Sequence, residues 1–127
     1  MQKILVVDDA KNIILVIEKS LAKAGYDVYS VRDGVNALKK ARSLEPDLIL
    51  LDVLLPRMNG FLILEALKED ALTENIPVII FSAKAEKKDL LKARKLGASD
   101  YLVKPVKPRE LLAAVEENIK GGTDSGK

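Results

Sequence analysis

The chain has no cysteine and no histidine among its 127 residues. Without cysteine there is no disulfide, no thiolate nucleophile and no thiolate-bound metal. Without histidine there is no Ser-His-Asp triad, no imidazole-bound metal and no phosphohistidine formed on the chain itself. Catalysis here has to use Asp, Glu, Lys, Ser, Thr or Tyr. Tryptophan is absent too, and aromatic residues make up 4% of the chain, so the core must be built from aliphatic side chains. Long apolar runs are also missing. The opening stretch MQKILVVDD is too short for a signal-peptide core, and nothing further along approaches a membrane span. A soluble, cytoplasmic protein that makes no membrane contact is expected. A net charge of +2 is too weak to attract nucleic acid by itself, so no direct nucleic-acid binding is expected.

Hydrophobic residues at 48% and charged residues at 31% describe an ordinary globular domain, long enough to bury a core without staples. Short runs rich in Val, Ile and Leu occur at Ile4–Val7, Leu48–Leu51, Val78–Phe81 and Tyr101–Val103. Such runs suit strands buried on both faces of a parallel sheet. Tyr26–Val31 is more polar and fits an edge strand. Between them lie helical patterns. Ile13, Ile14, Ile17 and Leu21 share a face, and Asp33 is placed to N-cap a helix carrying Val35, Leu38 and Ala41. Phe61, Leu64 and Leu67 form the next stripe, followed by Leu90, Leu91 and Leu96. Pro108 suits a first helical turn, before Leu111, Leu112, Val115 and Ile119. Five strands alternating with five helices predict an α/β fold with helices on both faces of the sheet. One domain is expected over residues 1–120, with GGTDSGK at 121–127 as a flexible tail or the start of a linker.

The stretch LILLDVLLPRMNG, residues 48 to 60, sets Asp52 at the end of an apolar run, where an isolated charge is costly. Parallel α/β sheets bind ligands outside the carboxyl ends of their strands, and that rule gives Asp52 a reason to be there. The first run ends in Asp8-Asp9, the third in Asp52, the fourth in Ser82 and the fifth in Lys104. Three carboxylates, a hydroxyl and an ammonium should converge on one rim. The carboxylates repel one another, and a hard divalent cation relieves this. Mg²⁺ favours one or two carboxylates, several waters and a phosphate oxygen. Aspartate is a known nucleophile toward phosphoryl groups, and positioning and electrostatics supply most of the catalysis in such transfers. Ser82 would donate to a phosphate oxygen, and the small Ala83 leaves room for its approach.

VVDD, LLDVLLPRMNG, the FSA run and YLVKP, taken together in this order and spacing, resemble the receiver domain of two-component response regulators over residues 3 to about 120. The resemblance implies a flavodoxin-like, doubly wound sheet of order 2-1-3-4-5, with Asp52 as the phosphoacceptor. It implies Mg²⁺ held by Asp9 directly, by Asp8 mostly through water, by Asp52, and by the backbone carbonyl of Leu54. Lys104 would pair with the phosphoryl group, Ser82 and Tyr101 would form a conformational switch, and the Lys104-Pro105 peptide would be cis. The implied partners are a sensor histidine kinase or phosphotransfer protein upstream. Downstream, a protein or effector domain would engage the face of the fourth helix, fifth strand and fifth helix. Leu54 and Lys84 fall where the family varies and tunes phosphoryl lifetime: Leu54 is too apolar to orient water, and Lys84 would either pair with the phosphoryl group or point to solvent. KPRELL at 107–112 resembles receivers joined to winged-helix DNA-binding domains, whereas ALTENIPVI is closer to single-domain and cyclase- or kinase-linked receivers.

Each of these residues also has a plainer reading. Asp8 and Asp9 can simply cap the next helix, Ser82 can end a strand, and Tyr101 can be rim packing. Lys88, Lys92 and Lys95 recur at i, i+4 and i+7, a pattern usual for a solvated helix face, with contact to an acidic partner as the alternative. A pseudo-receiver, acting as an interaction module without phosphorylation, would lack an acidic or lysine position, and none is lacking. An aspartate-nucleophile phosphatase of the DxD type would need an acid where Leu54 stands. A flavin carrier would need a phosphate-cradling loop where the chain reads DDAKN. The expected chemistry is therefore phosphorylation of the chain itself, with no turnover of an outside substrate.

Overall fold

The computed structural model describes residues 1–123, with side chains described through residue 119. Five strands form one parallel sheet: β1 (Lys3–Val7), β2 (Asp27–Val31), β3 (Leu48–Leu51), β6 (Val78–Ser82) and β7 (Asp100–Val103). Two further strands, β4 (Leu54–Leu55) and β5 (Met58–Asn59), make a small antiparallel hairpin that the sequence reading did not foresee. Its strands are two residues long, below the length at which alternation shows. The helices are α1 (Lys11–Lys23), α2 (Gly34–Leu44), α3 (Gly60–Glu69), α4 (Lys87–Lys95) and α5 (Pro108–Thr123). The large sheet runs β2-β1-β3-β6-β7, which is the expected 2-1-3-4-5 order once the hairpin is set aside. The last residues of the expected tail, 124–127, lie outside the described residues.

Strand alternation divides the core into two layers. Leu5, Val7, Ile49, Leu51, Val78 and Ile80 pack with Ala37, Ala41, Phe61, Leu64, Leu67 and Ala93, from α2, α3 and α4. Their neighbours Ile4, Val6, Leu48, Leu50, Ile79 and Phe81 pack with Ile14, Ile17, Leu21, Leu111 and Val115, from α1 and α5. Both faces of the central strands are covered, so these strands read as unbroken apolar runs.

Two helical stripes differ from expectation. On α2 the inward residues are Gly34, Ala37 and Ala41, while Val35 is exposed. On α4 they are Asp89 and Ala93, with Leu96 partly buried beyond them, while Leu90 and Leu91 face outward. The cause is rotation: each residue advances about 100°, so a stripe at i, i+4, i+7 starting from Asp89 carries Leu90 and Leu91 away from the sheet. Asp89 can occupy an inward position because it closes a capping box, with its Oδ2 accepting from the Glu86 N–H at 3.0 Å. The Asp33 cap is present, its carboxylate accepting from Asn36 N–H at 2.9 Å.

Register then sets the rim. Val7 pairs with Leu51, Leu51 with Ile80, and Phe81 with Leu102, so Asp8, Asp52 and Phe81 lie level across the central strands. The segment after Asp52 is held close beneath α3. A Cβ on Gly60 would lie 2.3 Å from Val53 Cα and 2.7 Å from the Asp52 carbonyl oxygen. At Gly34 the nearest atom is the Met58 thioether, at 2.1 Å, which belongs to an adaptable side chain. Gly60→Ala should therefore destabilise the protein by roughly 1–3 kcal/mol, the usual range for overpacking. Gly34→Ala should cost less, because Met58 can move and backbone cannot. Urea unfolding midpoints of the two variants test this ordering.

Candidate functional site

Asp8 follows the last residue of β1 and Asp52 the last residue of β3, and both are buried, at 0% and 4% exposure. The expectation that Asp52 tops its strand outside the core is corrected here. It follows the strand but lies inside, and the cost of burial is met by partners. The Lys104 ammonium, just past β7, donates to Asp8 Oδ2 at 2.7 Å and to Asp52 Oδ2 at 2.9 Å. The remaining oxygens accept from backbone: Asp8 Oδ1 from Ala10 N–H at 2.9 Å, and Asp52 Oδ1 from Leu54 N–H at 2.8 Å. Among the described residues no buried side-chain polar atom lacks a partner.

Asp9 completes the cluster at its partly exposed edge. One carboxylate oxygen from each of Asp8, Asp9 and Asp52 lies within 4.8 Å of the others, close enough for a single cation to be shared. The plain capping reading of the acidic pair does not describe what is seen. The N-cap of α1 is Ala10, and no side chain caps it.

Lys104 carries the local electrostatics. Burial, the largest single influence, works against its charge, but the hydrogen bonds and charges of Asp8 and Asp52 together outweigh it and hold its pKa above the ordinary lysine value. Its ammonium also lies 4.7 Å from the centre of the Phe81 ring. The Lys104-Pro105 peptide is cis, as the resemblance implied.

Ser82 is the last residue of β6 and fully buried, and its hydroxyl oxygen accepts from Lys84 N–H at 3.2 Å. Tyr101 is half-buried, and its hydroxyl donates to the Lys84 carbonyl. Burial, then the charges of Asp89 and Asp52, raise its pKa, which keeps the phenol protonated and able to donate. Lys84 lies outside the acidic cluster with its side chain partly in solvent, and its ammonium pairs with Asp89 Oδ1 at 3.6 Å. The Leu54 side chain is exposed. In the basic stripe, Lys88 pairs with exposed Glu86 at 3.5 Å, while Lys92, itself exposed, has its ammonium 4.9 Å from the centre of the Phe61 ring.

Three participants escaped the sequence reading. Arg32 donates from Nε and Nη2 to the Asp9 backbone carbonyl at 3.2 and 2.9 Å. Arg32 directly follows β2, so the residue after this edge strand carries the same signal as those after the central strands. Phe81 read only as core. Asp89 left no signal, because its role depends on which way α4 faces.

Residues 4–116 match the response regulator receiver domain. The chain belongs to that family. It is 43% identical over 119 residues to the alkaline phosphatase synthesis transcriptional regulatory protein PhoP of Bacillus subtilis, covering 94% of this chain and 49% of that one. It is 37% identical over 123 residues to the DNA-binding response regulator MtrA of Mycobacterium tuberculosis, covering 97% and 53%. This receiver thus spans about half the length of the curated relatives it matches. Among solved structures, a receiver domain protein of Methanospirillum hungatei superposes with a TM-score of 0.93 at 28% identity, covering 98% of each chain. A chemotaxis response regulator of Vibrio cholerae gives 0.87 at 32% identity, covering 92% of this chain and 98% of its own. No helix among the described residues is long and apolar enough to cross a membrane.

Removing the ammonium leaves two buried carboxylates facing each other. Lys104→Met should lower stability at neutral pH by roughly 3–5 kcal/mol, the usual cost of stripping one partner from a buried ion pair. The deficit should shrink as pH falls into the carboxylate range, and adding Asp52→Asn should recover part of it. In the unsubstituted protein the sign is opposite. Because the Lys104 pKa is raised on folding, its contribution is complete below the ordinary lysine pKa and is lost only as pH rises through the raised value. Urea titrations across pH measure both limbs.

Proposed function

We propose that this receiver accepts a phosphoryl group on Asp52 from a phosphohistidine of a sensor kinase or phosphotransfer protein, with Mg²⁺, and changes its partner-binding surface in response. The observation that carries this reading is Lys104 bridging Asp8 and Asp52, with Asp9 close enough to share a cation. An Asp52 carboxylate oxygen forms the new bond to phosphorus. The donor's P–N bond breaks, and its electron pair leaves with the imidazole. Asp8, Asp9, Asp52 and the Leu54 carbonyl would hold Mg²⁺, which when bound supplies positive charge against the phosphoryl oxygens. Lys104 would turn from its carboxylate contacts to a phosphoryl oxygen, and Arg32 would keep Asp9 in place through its backbone. The Leu54 N–H already donates to Asp52 Oδ1, which leaves Oδ2, shared with Lys104, as the oxygen for attack.

A pseudo-receiver is disfavoured, because every acidic position and the lysine are present. The chain catalyses only its own phosphorylation and dephosphorylation, in the cytoplasm. Output runs through α4, β7 and α5, where Leu90, Leu91 and Val103 are exposed beside the basic stripe. The partner there is a downstream protein or an effector domain. DNA binding, named for MtrA, would belong to such an effector rather than to this receiver.

Incubation with acetyl phosphate and Mg²⁺ should add one phosphoryl mass, trapped at Asp52 by borohydride and abolished by chelation. Labelling that survives Asp52→Asn would overturn the assignment. Without Mg²⁺, Asp52→Asn should also melt higher than the unsubstituted protein, by on the order of 1 kcal/mol, and gain less from added Mg²⁺.

Ser82 and Tyr101 would form the switch through their common hold on Lys84. If the Ser82 side chain rotates to donate to the phosphoryl group, its oxygen moves away from the Lys84 N–H, and the Tyr101 contact on the same residue loosens. A phosphoryl group shifts this equilibrium only by interacting differently with the two states, and Ser82 supplies that difference. Ser82→Ala should still take up phosphoryl at Asp52 but show a weakened amide-exchange response across residues 84–119 on adding beryllofluoride. A full response in that variant would remove Ser82 from the switch.

A further inference from the structure

Lys84 is tied at three points: its N–H to Ser82, its carbonyl to Tyr101, and its ammonium to Asp89. The third tie has no part in the switch described above. Asp89 is buried, and its two oxygens serve different purposes. Oδ2 closes the cap of α4 through Glu86 N–H, and Oδ1 takes the Lys84 ammonium at 3.6 Å. That ion pair is longer than the 2.7 and 2.9 Å contacts of Lys104, and the Lys84 side chain is 43% exposed, so it is the looser cation of the two. Tyr101, whose hydroxyl meets the Lys84 carbonyl, lies in the field of both Asp89 and Asp52.

We propose that Asp89 is a positioning residue that holds Lys84 in reserve, competing with a phosphoryl group on Asp52 for the same ammonium. This inference rests on the phosphoacceptor reading and goes beyond it. A phosphoryl group adds negative charge to a site whose own lysine is already engaged, and Lys84 has a long flexible stem and begins two residues past Ser82. To reach the phosphoryl group, Lys84 must leave a buried carboxylate without its counter-charge, and that penalty works against the phosphorylated state. By reciprocity, occupation of Asp52 weakens the tie on the first turn of α4. The identity of the residue at position 89 therefore sets how strongly Lys84 stabilises the phosphoryl group.

Beryllofluoride affinity in the presence of Mg²⁺, measured by calorimetry on the full chain, tests this with four proteins: unsubstituted, Asp89→Asn, Lys84→Met and the double variant. Asn keeps an oxygen for the Glu86 N–H but removes the charge. Asp89→Asn should bind about two- to fivefold tighter, the size expected of a partly exposed ion pair. Lys84→Met should bind more weakly, and the double variant should match Lys84→Met. The gain in Asp89→Asn should also fade as salt is raised, because the competing pair is screened. Urea midpoints establish that each variant is folded, and Asp89→Ser, which also retains an oxygen at the cap, takes the place of an unstable asparagine variant. Tightening that persists without Lys84, or no tightening in Asp89→Asn, overturns the proposal while leaving the phosphoacceptor reading intact. Failure of all four proteins to bind beryllofluoride overturns both.

Discussion

One ammonium group, on Lys104, joins two aspartates that are 96 and 52 residues away in the chain, and much of the architecture exists so that it can. Asp8, Asp52 and Lys104 each follow directly on a strand of one parallel sheet, so all three sit at its carboxyl edge. Parallel pairing is required for this. An antiparallel sheet would send alternate strand ends to opposite edges, and the charges would never meet. Backbone ladders set the register of β1, β3 and β6, and their unbroken apolar side chains bury both faces of the strands. The aliphatic core is therefore the frame that delivers the charges.

Burial makes the arrangement both stable and responsive. Two carboxylates facing each other in a protein interior repel, and a single shared ammonium is the least that lets both be ionised. Each carboxylate spends one oxygen on Lys104 and the other on a backbone N–H. The site is therefore satisfied at rest, yet only one side chain has to move to change its charge balance. Asp9 is the exception. Arg32 donates to its backbone carbonyl, and a carboxylate oxygen of Asp9 lies close enough to those of Asp8 and Asp52 for one cation to be shared.

The sequence carries the strand order and the acidic rim because both come from local patterns: short Val/Ile/Leu runs, and the residue that follows each run. It carries the depth of the site less well. Asp52 looks like a strand cap when read along the chain, and its carboxylate is enclosed by contacts between distant segments, among them the Lys104 ammonium 52 residues on. The facing of α4 was hidden for a similar reason. Leu90 and Leu91 are the obvious apolar residues, but the capping box orients the helix by Asp89 and leaves both leucines outside. Arg32 follows the edge strand β2, so the strand-end rule extends to it as well. Pairings such as Lys84 with Asp89 depend on helix rotation, which one-dimensional periodicity constrains only to within a residue or so.

Those pairings decide how the rim communicates with the rest of the molecule. Ser82 and Tyr101 do not touch each other in the contacts observed; each grips a different end of Lys84, one at its N–H and one at its carbonyl. In the proposed switch, a displacement of Ser82 would thus reach Tyr101 through a single residue rather than through a chain of packed side chains. The side chain of that residue is in turn fastened to the first turn of α4, the helix that carries the exposed leucines and most of the local positive charge. Ser82, Tyr101 and the first turn of α4 therefore all meet at Lys84, through its N–H, its carbonyl and its ammonium. In the switch proposed above, that one loop residue is where a change at the buried charges would pass to the surface, while the frame around it stays fixed.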